Sequence, residues 1–388
     1  MQVLEPLQVA DKLSELGVKA KNVKLYTDAG MLFDADFKYL KGDTRFPYML
    51  LVSQYTTERI LEKKAVERGI KVERPYRLVG LSDSEDESIV ATFDNGRRVK
   101  AKYVIGADGS HSAVRQLVNV NFADPDGASI DDKNVTQMVL AEVTLSPNPT
   151  NILPRDQVFR YTSKSNSCLA IPIPRSRYPE AYDSSSDSIY RIEFNIPKED
   201  GPPPTSPDAA YFQKYLDKIR PTFLYPGKKG AGSIKINKVF WSRRFLTHSA
   251  IAEKYLVRLH KQNGRSNPRV VFLVGDAAHV HSPIGGQGMN LGLREAIGLA
   301  PVLLKHMKLF PHDPSSADKL VENYASMRHE VALKTIHVTK RSTSIQTMLG
   351  TLAHGWRRYF ILWAVRLFFM LPFVVRRLAW ELSGLGRA

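Results

Sequence analysis

The chain has 388 residues, 43% of them apolar and 24% charged, with a formal net charge of +16 and a single cysteine, Cys168. That length can bury a sizeable core and suggests two or three domains; one cysteine excludes an internal disulfide framework and any zinc site built on paired cysteines, and fits a reducing, cytoplasmic setting. The charge does not describe a nucleic-acid binder, because residues 331–388 hold nine Lys/Arg against one acid, Glu381, and the remaining excess is a mild attraction for anionic ligands.

The opening MQVLEPLQVADKLSEL carries acids and no basic start before an apolar core, so it is no secretory signal and reads as a helix already in progress. VKLYTDAGMLFDADF alternates and turns at Ala29-Gly30, which predicts a hairpin. SQYTTERILEKKAVERGI places Ile60, Leu61, Ala65 and Val66 on one helical face and ends at Gly69. YRLVGLS, SIVATFD and RRVKAKYVIGAD predict three strands, the last two joined at Asn95-Gly96, a strong hairpin signal. From about 135 to 247, strands such as QMVLAEVTL, SIYRIEFNI and SIKINKVFW alternate with Pro/Ser/Asp-rich loops, which reads as a mostly antiparallel domain inserted into the first. At Arg269 α/β text resumes. RVVFLV is a buried strand, and GMNLGLREAIGLAPVLLKHM a helix that Pro301 is expected to kink or shorten.

Two turns carry chemistry. In VVFLVGDAAHVHSPIGGQGMNLG, glycines join the strand to the helix, letting a ligand lie against bare main chain beside the free N–H groups of a helix start. Asp276 stands at the carboxyl end of that strand and can accept hydrogen bonds from polyol or ribose hydroxyls. In YVIGADGSHSAVR the strand runs into Asp108-Gly109, then Ser110 and Ser112, with Arg115 offering a fork to phosphate or carboxylate. The bland readings are a capped αβ connection for the first turn and a strand-ending turn with a surface arginine for the second.

Together, ADGSHSAVR and GDAAHVHSPIGGQGMNLG resemble the second and third flavin motifs of the single-component aromatic hydroxylases, of the p-hydroxybenzoate and phenol hydroxylase type. The likeness runs from about Glu5 to Gly384, with QYTTERILEKKAVERGI and DNGRRVKAKYVIGADG in the family's order. It implies FAD as cofactor, with Asp108, Gly109, Ser112 and Arg115 near the pyrophosphate and NAD(P)H. It puts Gly275 and Asp276 at the ribityl chain, and Pro283, Gly285, Gly286, Gly288, Met289 and Asn290 beside the isoalloxazine ring. Gln54 matches a glutamine that approaches the flavin. The implied reaction is hydroxylation of a small phenolic substrate by O2 and NAD(P)H through a flavin C4a-hydroperoxide, with the hard chemistry in the cofactor. No universal catalytic side chain is implied, so the catalytic residues stay unknown; His279 and His281 read as packed beside the turn. No metal or nucleic-acid partner is implied, and the oligomeric state is left open.

The resemblance implies an α/β (α+β) fold: an incomplete Rossmann-like FAD-binding domain with an inserted, mostly antiparallel substrate sheet and a C-terminal helical region. The expected parts are 1–134 and 248–330 for the FAD-binding domain, 135–247 for the substrate domain, and 331–388 for basic helices. The sequence departs from the family pattern in having no GxGxxG βαβ unit before these motifs, which suggests a shortened gene model or splice form and poor FAD retention by the chain alone. Glu295 stands where the family usually has Asp, and the phenol hydroxylases' thioredoxin-like C-terminal domain is absent. YFILWAVRLFFMLPFVV, flanked by arginine pairs, reads as packed helices or as a basic, peripheral membrane-surface anchor over 357–380. Two other functions therefore stay open, a non-catalytic fragment holding no flavin and a membrane-associated lipid epoxidase or hydroxylase.

Overall fold

A computed structural model of the chain describes residues 1–84, 86, 88–127, 136–147, 149, 151–163, 166–174, 177–178, 189–224, 234–259, 269–282, 286–351 and 356–385. Two compact units emerge, one of Met1–Lys71, Thr136–Leu246 and Thr343–Ala388, the other of Val72–Val135 and Thr247–Ser342. The expected mixture of helix and sheet, with an antiparallel sheet inserted between α/β segments, is what forms.

The first unit is built on a seven-stranded sheet in the order Lys235–Thr247, Thr136–Ser146, Ile189–Ile196, Asn166–Pro172, Gln157–Ser163, Asn22–Thr27, Gly30–Asp36. The expected hairpin at Ala29-Gly30 forms its edge, Gly30 supplying the positive φ of 94° that the turn requires. Asn22–Thr27 runs parallel to Gln157–Ser163, whereas Thr136–Ser146 and Ile189–Ile196 pair antiparallel. Residues 1–71 cluster with this sheet in the first unit. Because side chains alternate, Val139, Ala141, Val143, Phe159, Ile192 and Phe194 line one face and pack with Phe212 and Leu216 of the helix Ala209–Ile219.

The other local expectations hold in part. Ser53 caps the helix Gln54–Glu67 by accepting from the Thr56 N–H at 3.1 Å, worth about 1 kcal/mol, and Gly69 ends it at φ 77°. Its apolar stripe is not buried, and Val66 stays 60% exposed. The opening segment is not one helix: a short 3-10 turn, Gln2–Leu7, is broken from Ala10–Leu16 by Gln8 in the left-handed region.

In the second unit the predicted strand RRVKAKYVIGAD divides at Lys102. Arg98–Ala101 pairs with Ile89–Phe93 across the Asn95-Gly96 turn, and Tyr103–Gly106 pairs in parallel with Val270–Leu273. Val270–Leu273 is buried on both faces, as a parallel strand should be. Gly106 lies opposite Leu273, so the two chemistry-bearing turns leave the sheet side by side at the carboxyl ends of neighbouring strands. That is where open α/β sheets bind ligands. A side chain at Gly106 would come within 2.9 Å of both Leu273 and Val114, so only glycine fits. The helix Gln287–Leu309 follows and runs its full 23 residues through Pro301. Pro301 therefore does not shorten it. The helix packs closely at Gly298, where a side-chain carbon would come within 2.9 Å of the Tyr324 hydroxyl and 3.0 Å of Arg328.

Candidate functional site

The Asp108 turn is held by its own side chains. The Asp108 carboxylate accepts from the Ser112 hydroxyl and from the Val114 N–H at 3.1 Å, and Ser112 Oγ accepts from the Arg115 N–H at 3.0 Å. Gly109 stands at φ 84°, with nothing within 4 Å of the place a side-chain carbon would occupy. Arg115 was expected to offer its fork outward, and it does not. Its guanidinium is buried, donating to Ser110 O at 2.7 Å and Ala277 O at 2.8 Å, and it stacks 3.8 Å over the Phe122 ring. Burial lowers its pKa, against a raising contribution from Asp108. Since Ser110 belongs to one turn and Ala277 to the other, Arg115 is a clasp between them.

The second turn is buckled by Glu295, a fully buried carboxylate one helical stretch further on. One of its oxygens accepts from the Gly275 N–H at 2.8 Å and the other pairs with His279 Nε2 at 2.9 Å. The Tyr324 hydroxyl donates to the Glu295 carbonyl at 2.6 Å, and the His279 ring stacks against Tyr255. Both ends of the single 3-10 turn Gly275–Ala277 are thereby fixed, and between them Asp276 is left exposed. His279 is a buried structural group, and His281 Nδ1 meets the Ser282 carbonyl at 2.8 Å.

The helix Gln287–Leu309 starts from Gly286 in the left-handed region at φ 62°, again with open space where a side chain would stand. Met289 and Asn290 are exposed in its first turn, where Asn290 Nδ2 donates to the Gly286 carbonyl at 2.8 Å, and Gly288 is partly covered. Pro283 and Gly285 lie outside the described residues. Gln54 belongs to the other unit, exposed at the start of its helix and bonded through Nε2 to Glu58.

These features fit FAD: an exposed carboxylate, two stretches of bare main chain and the N-terminal turn of a 23-residue helix, on one edge of a parallel strand pair. Asp276 would accept from ribityl hydroxyls, and 286–290 would present main chain to the ring. Arg115 and Glu295 would hold the turns in place.

The sequence did not single out a second polar cluster, on the sheet of the first unit. On the face opposite the apolar core, Glu142 lies directly across from Arg191 and accepts from it and from the Tyr178 hydroxyl, with Arg177 at 3.6 Å. Burial pushes the Glu142 pKa up, but Tyr178 and Arg191 outweigh it and hold the carboxyl below its ordinary range. Burial and Glu142 push Tyr178 up to about 12. Arg160 and Glu193 lie in the next row, where burial lowers the one and raises the other. Alternation is the only sequence signal for them, as charges at the positions that alternate with the core-facing residues of the strands.

A family profile described as FAD binding domain matches residues 1–211 and 238–339. Rifampicin monooxygenase of Streptomyces venezuelae is 26% identical over 306 residues, 79% of this chain and 54% of its own length. An uncharacterized aromatic compound monooxygenase of Bacillus subtilis is 27% identical over 329 residues, 84% of this chain and 56% of its own. The chain thus spans about half the length of the curated relatives it matches. In fold it is similar to the crystal structure of p-nitrophenol 4-monooxygenase PnpA from Pseudomonas putida, with TM-score 0.69 and 16% identity over 99% of this chain and 85% of that one. With the profile covering most of the chain, the chain belongs to the FAD binding domain family.

Proposed function

We propose that this chain carries an FAD-dependent monooxygenase that hydroxylates a small phenolic compound with O2 and NAD(P)H. The observation that carries the reading is the pairing of Gly106 with Leu273, which delivers the Asp108 and Asp276 turns to one edge, each with bare main chain beside it. When bound, FAD supplies the redox chemistry: NAD(P)H gives two electrons, one oxygen atom of O2 enters the product hydroxyl and the other leaves as water.

The chain's own residues bind and orient. Asp276 would accept hydrogen bonds from the ribityl hydroxyls, and the main chain over 286–290 would present the positive end of the Gln287–Leu309 helix to the ring, favouring negative charge there. Asp108 holds the first turn shut around Gly109 through Ser112 and Val114. Arg115 contributes by fixing the distance between the turns, in place of the phosphate fork its sequence suggested. No proton-transfer role falls to His279, whose Nε2 is committed to Glu295.

The test is oxygen-18 labelling. The chain is supplied with FAD, NAD(P)H, a panel of phenols and labelled O2, and the products are weighed by mass spectrometry. One labelled atom per hydroxylated product is expected; label arriving from water instead, or nicotinamide oxidation indifferent to every phenol with no product, overturns the reading.

A further inference from the structure

The helices Trp356–Phe369 and Pro372–Ser383 each bury one stripe and expose another. Inward, Leu362, Val365 and Phe369 pack on Leu25, Leu32 and Phe33 of the edge hairpin, where Arg366 also donates to the Ala29 carbonyl. Val374, Val375 and Ala379 are buried in the second helix, and Ala379 joins Phe37 and Leu40. The helices are therefore docked, and their outer face is a surface in its own right.

That face is apolar. Phe360 is 61% exposed, Trp363 56%, Phe368 53%, Met370 74% and Phe373 68%, with Leu367 among them. Scattered exposed apolar side chains are ordinary, but this many large ones within fourteen residues form a patch, and such patches mark interaction sites. Cations border it. Arg376 and Arg377 are exposed, each in an exposed pair, with Asp43 at 3.0 Å and with Glu381 at 3.1 Å, and Arg357-Arg358 precede the ridge in sequence. Exposed pairs of this kind yield readily to another anion.

The charge decides among occupants. A second copy would bring like-charged borders together on a chain of net charge +16. A bilayer carrying acidic lipids supplies both halves of the complement, an apolar layer for the aromatic ridge and anionic headgroups for the arginines. Among the described residues no helix is long and apolar enough to cross a membrane, so the ridge would lie in the interface and not span it. We propose that the outer face of these two helices docks on the surface of an anionic bilayer.

The experiment is flotation of the full chain with phosphatidylcholine vesicles, with and without phosphatidylserine. Binding at least about tenfold stronger to the acidic vesicles, and weakened by salt, is expected from the arginine border. Trp363→Glu combined with Phe368→Glu removes two apolar anchors that are 56% and 53% exposed, and should weaken binding by about a hundredfold while circular dichroism is unchanged. Arg376→Glu with Arg377→Glu should abolish the preference for acidic vesicles. No flotation with either vesicle, equal flotation with both, or flotation untouched by the Trp363 and Phe368 substitutions overturns the proposal. So does concentration-dependent dimerisation that Trp363→Glu removes, which would assign the face to a second copy.

Discussion

Replacing Glu295 tests whether the Asp276 turn is as tightly built as its geometry implies. Two buried donors, the Gly275 N–H at 2.8 Å and His279 Nε2 at 2.9 Å, end on this one carboxylate. Glu295→Gln keeps the shape but has one acceptor oxygen for two donors, and sets an NH2 against the other. One buried donor is left unpaired, at a cost of about 1–3 kcal/mol. Glu295→Ala strands both donors and opens a cavity in the helix interface, so about 3–5 kcal/mol is expected. Glu295→Asp, one methylene shorter, can reach only one of the two partners and should resemble the glutamine variant. Urea unfolding of the three variants, followed by far-UV circular dichroism, gives the ranking directly. If alanine costs no more than glutamine, or neither moves the transition, the buckle is not what holds the turn.

Three other outcomes follow from named contacts. Asp276→Ala, at an exposed position, should leave unfolding unchanged yet weaken FAD binding by about 1–3 kcal/mol in a fluorescence titration; equal affinity would remove Asp276 from the cofactor. Arg115→Lys should lower the melting temperature, because lysine's single ammonium cannot both bridge the Ser110 and Ala277 carbonyls and stack flat on Phe122; a melting curve matching wild type would show that the clasp bears nothing. Glu142, with its folded pKa depressed, stabilises the fold above its unfolded pKa and loses that contribution as pH falls through the folded value. Glu142→Gln should therefore cost about 3 kcal/mol at neutral pH and flatten the acid limb of stability against pH; an acid limb like wild type would sink this assignment.

What the sequence disclosed was local. Gly30 and Gly96 announced their hairpins because a turn with positive φ leaves few other choices of residue. The two strand-to-turn motifs were legible because an apolar run, an acid and several glycines converge within a few positions. What stayed hidden was long-range. Nothing in Asn22–Thr27 says that its parallel partner is Gln157–Ser163, some 135 residues away. Arg115 read as a phosphate fork because a permanent cation beside a glycine turn looks the same whether it faces a ligand or its own carbonyls. Only the position of Ala277, fixed by the parallel strand pair, separates the two. Glu295 was visible as an unusual choice of acid, but its twofold use depends on helix phasing that brings it back over Gly275 and His279.

The most direct measurement is hydrogen–deuterium exchange of the chain with and without saturating FAD, read by peptide mass spectrometry. Slowed exchange concentrated in 275–282 and 286–291, with a smaller effect over 108–115, is the predicted result. Binding of FAD with those segments exchanging as in its absence, and protection confined elsewhere, would contradict the assignment of the site.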